Sequence, residues 1–188
     1  MRFGIAILRA AIGGLFIGHG LQKLTGAFGG HGLEGTAGFF ESSLGLKPGK
    51  VHARAAGVAE AGGGALLVAG LATPVAASAI TGVMTVAVRK VHMQNGVWSS
   101  DGGYEYNAVL AAALFAITAD GPGSPALDRR RWGTRWAFAE LLAGVGGGLA
   151  MLKFAERGTS APPVAGDPAN QTGRFERDPA EATASGIA

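Results

Sequence analysis

Five apolar runs alternate with polar connections along the chain, at about residues 3–21, 51–73, 75–91, 104–119 and 136–153. A helix needs about 20 apolar residues to cross a bilayer, and the runs match or approach that length. Ala72-Thr73-Pro74 joins the second and third runs so tightly that they are expected to form an antiparallel hairpin. Pro74 suits the first turn of a helix, where its missing N–H would be unpaired anyway. Arg89-Lys90 mark the end of the third run, and Asp120-Gly121-Pro122-Gly123 stops the fourth. The pattern predicts an all-α membrane protein: an antiparallel bundle of four transmembrane helices, with a fifth C-terminal helix over 136–153. Residues 121–135 form a basic loop, and 156–188 are poor in large apolar residues and read as a disordered tail.

Polar residues interrupt these runs. Arg9 and His19 fall in the first, Glu60 in the second and Glu140 in the fifth. A charge inside a bilayer costs on the order of 3 kcal/mol or more, so it needs a partner or a polar cavity. Arg9 and the exit Gly18-His19-Gly20-Leu21-Gln22-Lys23 also fit a cleaved signal peptide poorly, so the first run is expected to stay as a helix.

Composition agrees with a bilayer. Hydrophobic residues make up 48% and charged residues 15%, with a mean hydropathy of +0.27; soluble domains carry about 25% charged residues. Many of the 33 glycines lie inside the apolar runs, where they let helix backbones approach closely. The net charge of +3 comes mostly from residues between the runs. Lipid headgroups are thus a better partner for it than nucleic acid. Without cysteine there are no disulfides, thiol redox chemistry or thiolate metal ligands.

Helix geometry groups the polar residues. At about 100° per residue, Lys23 lies within about 40° of Arg9 and His19 about 80° from it. Gly57, Glu60 and Gly64 share one face of the second helix, leaving room for a neighbouring helix. At about 1.5 Å rise per residue, Glu60 lies between Arg9 and His19 in depth. An Arg9–Glu60 ion pair is the first expectation and a His19–Glu60 hydrogen bond the second. The Arg9–Glu60 pair has a purely structural reading, as an interhelical tie.

Two crossings separate the connections 23–50 and 91–103, so both emerge on one membrane face. Phe39-Phe40 in the first suggest a short amphipathic helix on that surface. Trp98, Tyr104 and Tyr106 suit the membrane interface. His19, Lys23, His92, Asn95, Glu105 and Asn107 converge on one mouth, with Arg9 and Glu60 as its floor. Together with Trp98 and Tyr104 they make the candidate binding site. A small polar headgroup such as that of a quinone suits the polar edge of a hydrophobic bundle.

Three groups of residues stand out: Arg9…Phe16…His19-Gly20…Lys23-Leu24 with Gly29-Gly30; Gly57…Glu60…Gly63…Leu66…Gly70…Thr73-Pro74; and Lys90…His92…Asn95-Gly96…Trp98 with Gly102-Gly103-Tyr104-Glu105-Tyr106-Asn107. Together they carry a resemblance to the DoxX family of small bacterial membrane proteins. It spans about residues 1–120 and implies a four-helix membrane domain there, in a multi-pass protein of the bacterial cytoplasmic membrane. It also implies a link to membrane oxidoreductase complexes, since some relatives are subunits of quinol or thiosulfate:quinone oxidoreductases. The fifth run and the tail depart from the family pattern.

Redox chemistry by the chain itself has little support, because it has no CxxCH and no GxGxxG after a strand. No metal ligand set is assigned, and a quinone is the cofactor the reading points to. Three functions compete: an accessory or quinone-facing subunit of an oxidoreductase complex, a small-solute or proton carrier acting as a homo-oligomer, and a non-catalytic scaffold or assembly factor. Orientation stays open, because the Lys and Arg count favours one direction and the Arg129-Arg130-Arg131 cluster the other.

Overall fold

The computed structural model describes residues 3–128 and 132–159. Among these the regular elements are all helical: α1 Phe3–Thr25, α2 Gly32–Ser42, α3 Gly49–Ala69, α4 Thr73–Ala87, α5 Glu105–Asp120 and α6 Thr134–Thr159. Each apolar run has become a helix. α6 extends beyond the expected 136–153 at both ends and includes residues 156–159, which the sequence assigns to the tail. The rest of that tail and Arg129-Arg130-Arg131 lie outside the described residues. Among the described residues three helical stretches are long and apolar enough to cross a membrane: Phe3–Thr25, Thr73–Asn95 and Thr134–Glu156. α3 carries Lys50, His52, Arg54 and Glu60, and α5 has 16 residues.

α1 and α3 pack antiparallel, backbone to backbone. A Cβ on Gly13 would meet the Gly64 carbonyl oxygen at 2.6 Å, and one on Gly20 would meet that of Gly57 at 2.6 Å. These contacts fix the register, so that paired residue numbers sum to about 77. Gly70 ends α3 at φ 64°, its N–H returning to the Leu66 and Leu67 carbonyls. A left-handed glycine terminates a helix without the steric cost of a Cβ. Pro74 then opens α4, giving the expected hairpin.

α6 lies parallel to α4. A Cβ on Gly144 would meet Thr81 Cβ at 2.6 Å, and one on Gly148 would meet the Gly82 carbonyl oxygen at 2.7 Å. α1, α4 and α6 therefore run from a first face of the bundle to a second, and α3 and α5 run back. The main core joins α1, α3, α4 and α5 through Ile12, Phe16, Leu67, Ile80, Leu114 and Ile117. A smaller cluster of Leu46, Leu152 and Ala155 ties α6 to the connection after α2 at the second face. Helix α2 is the expected short helix holding Phe39 and Phe40; Phe39 is exposed and Phe40 half-buried.

A polar-headed cavity inside the bundle

A cavity of about 660 Å³ lies inside the bundle, with walls from all six helices. Its surface is mainly apolar. Most of its polar side chains lie toward the second face, where α1 ends and α3 begins. His19, Lys23, Glu60, His92 and Asn107 all line it, so five of the ten candidate residues meet at one space.

Glu60 is buried, and its partner is Lys23, with Nζ 2.6 Å from Oε2. The expected Arg9–Glu60 pair does not form, and neither does the His19–Glu60 hydrogen bond. The register places Arg9 level with Val68, eight residues or about 12 Å along the axis from Glu60. Helical side chains also lean toward the N-terminus of their own helix. Arg9 therefore leans away from Glu60, and Lys23 leans back toward it. Lys23 Nζ also donates to the His19 carbonyl at 3.4 Å. An ammonium has three N–H donors, so one stays available to the cavity.

Arg9 is buried at the opposite end of the bundle. Its Nε donates to the Pro122 carbonyl at 2.6 Å and its Nη1 to that of Leu67 at 2.7 Å. It also donates to the carbonyls of Val68 and Pro125. The last carbonyls of a helix lack intrahelical donors and carry the negative end of its dipole. The guanidinium donates to two carbonyls of this kind, those of Leu67 and Val68. Arg9 thus ties the end of α3 to the connection after α5, which also pairs with α3 through Leu127 N–H to Ala69 O and Asp128 N–H to Gly70 O. It is not the floor of the mouth.

His19 Nδ1 lies 3.2 Å from Gln22 Oε1, and its ring meets Phe16 edge-on at 6.3 Å. His92 reaches the cavity from a π-helical turn, Val88–His92, that continues α4. Such turns are uncommon and often mark functional positions. The His92 Nδ1 is 2.8 Å from the Gly102 carbonyl, which also accepts from Asn95 Nδ2 at 3.3 Å. Asn95 thus braces the connection before α5 rather than lining the cavity. In that connection, Trp98 is 65% exposed, and Tyr104 precedes α5 with its N–H on the Gly96 carbonyl.

Glu105 also stays outside the cavity wall. Its Oε2 accepts from both the N–H and the Oγ of Ser99 at 2.9 Å. The backbone bond first, and the hydroxyl bond second, hold this carboxyl below its ordinary range, against a smaller opposing effect of burial. The connection is folded onto itself, and its Ser99, Gly102 and Gly103 close the cavity at the second face.

His52 is the main residue of the cavity that the sequence reading missed. It is buried, with Nε2 3.2 Å from the Lys47 carbonyl and Nδ1 unpaired. The spacing His52, Ala56, Glu60 repeats every four residues, which places all three on one helix face. That spacing was the available signal. Ser78 and Tyr106 also line the cavity.

The DoxX family model matches residues 4–93 of the chain. That stretch holds Arg9, His19, Lys23, Glu60 and His92 and ends before Asn95. No curated protein and no solved structure matches.

Proposed function

We propose, from the premise that residues 4–93 are a DoxX domain, that this membrane protein is a quinone-facing accessory subunit of a membrane oxidoreductase complex. It would be a multi-pass protein of the bacterial cytoplasmic membrane. The observation that carries this reading is the cavity, apolar along most of its length and polar where Lys23, Glu60, His19 and His92 gather. An isoprenoid-like tail suits the apolar walls. A ring carbonyl is an acceptor for the remaining Lys23 N–H, and His19 and His92 offer further ring nitrogens. The fit is to a hydrogen-bonded neutral headgroup, because the Lys23 charge is already balanced by Glu60. A bound quinone would supply the electron-carrying chemistry. This chain's residues would hold and orient it and keep it apart from lipid.

The three most apolar stretches run parallel from one face to the other, so the chain must return between them. Helices α3 and α5 are the segments available for that. Five crossings follow, with α2 at the second face and the start of α1 and the end of α6 on opposite sides. As a carrier, the second reading, the protein would use a polar path of Arg9, Glu60 and His19. Its support is reduced by the commitment of Arg9 to four carbonyls.

The test is a lipid extract of the purified protein, assayed for quinone. The expected result is co-purified quinone in wild type and its loss in Ala79→Phe, which fills the cavity from its wall. Equal quinone in both, or none in wild type, refutes the reading.

A further inference from the structure

Among the described residues the bundle buries two carboxyls, Glu60 and Glu140, and only one has a counter-ion there. Glu60 has Lys23. Glu140, on α6, is 2% exposed. Its Oε2 has a single contact, the Thr81 Oγ1 at 3.5 Å, and its Oε1 has no hydrogen-bond partner. Ser78 Oγ meets only the Glu140 backbone carbonyl, at 3.3 Å. The two helices packed along α6 at Glu140, α4 and α5, bring no charge to it. Between Thr73 and Ala87, α4 has no titratable side chain. Between Glu105 at its start and Asp120 at its end, α5 has Tyr106 alone. Within α6 the nearest charged residue is Arg135, more than a turn away and exposed.

A carboxylate so placed would be an uncompensated charge in an apolar bundle, a costly arrangement. We propose that Glu140 is a proton-binding site, held between α4 and α6 one helical turn from the cavity wall at Ala143 and Gly144. In the acid form, the hydroxyl on Oε2 donates to Thr81 Oγ1. Oε1 is then a carbonyl oxygen, far cheaper to leave unpaired than an anion. The equilibrium is proton uptake by the carboxylate from water, with no other group changed. An alkali-metal ion fits less well. Among the described residues the carboxylate has a single hydroxyl within hydrogen-bond reach, that of Thr81, too few ligands to replace a hydration shell, and no cluster of three or more metal-ligating side chains occurs there. The site stands apart from the quinone reading, since Glu140 does not line the cavity.

The experiment is labelling with dicyclohexylcarbodiimide, a lipophilic reagent for protonated carboxyls, followed by peptide mass mapping. The expected result is an adduct on Glu140, less of it as pH rises, none in Glu140→Gln, and none on Glu60. Protection by sodium but not by choline would replace the proton with a metal ion and overturn the proposal. Infrared spectroscopy supplies a readout that needs no reagent access. The wild-type minus Glu140→Gln difference is expected to contain the carbonyl band of a protonated carboxylic acid that disappears at high pH. Its absence at every pH would also overturn the proposal.

Discussion

Lys23 and Glu60 are joined by a 2.6 Å ion pair between α1 and α3, at the wall of the cavity. The glycine contacts that bring these helices together set its register, because Gly20 against Gly57 leaves Lys23 one turn beyond the contact and Glu60 one turn inside it. The pair fixes both a structural tie and the polar end of the proposed binding site.

Breaking this pair from one side strands the other charge. Lys23→Met is expected to lower stability by about 3–5 kcal/mol, read as a reduced thermal midpoint in detergent. Lys23→Met with Glu60→Leu should recover most of the loss. The exchange Arg9→Glu with Glu60→Arg should recover none, because the two positions do not meet.

Arg9 acts through its geometry as much as its charge. Arg9→Lys keeps the charge but loses the planar fork of donors, so it should destabilise nearly as much as Arg9→Met. Limited proteolysis should then cut first at 121–128, the connection that Arg9 holds to α3. Cleavage no faster than in wild type would show that the Leu127 and Asp128 backbone bonds suffice alone.

The α4–α6 contact has no space for a side chain at Gly144. Gly144→Leu should cost on the order of 1–3 kcal/mol through overpacking, seen as a lower thermal midpoint. Gly146→Leu, where an added Cβ meets nothing within 4 Å, is the matched control and should be near neutral.

The Ser99–Glu105 contact predicts an acid-sensitive connection. A carboxyl held below its ordinary value of about 4.5 stabilises the fold fully above that value. Its contribution is lost as pH falls through the lower, folded-state value. Protease sensitivity of residues 96–104 should therefore rise only as pH falls below that ordinary carboxyl value. Glu105→Gln should be sensitive at every pH, without this acid step.

Crossing number follows from helix direction. Reporter fusions at Ser99 and Asp120 should report opposite sides, and fusions at Asp120 and Ala188 opposite sides again. Equal signals at Asp120 and Ala188 would mean that α6 does not cross.

The sequence by itself determined the helices, their order and the hairpin at Pro74, because apolar run length, proline and glycine act locally. It also placed the connections 23–50 and 91–103 on one face of the bundle, since two helices joined by a tight turn bring the chain back to the side it left. Helical periodicity put Gly57, Glu60 and Gly64 on a shared face, and that face does meet α1. The tertiary structure alone decided the pairings. Whether Glu60 takes Arg9 or Lys23 depends on a register set by glycine contacts and on the lean of each side chain along its helix, and these differ by about 12 Å along the axis. Arg9 found its partners in carbonyls, which any residue supplies and no pattern marks. Glu140 is legible as a charge in an apolar run. Its isolation appears only when α4 and α5, which bring no charge to it, close around it.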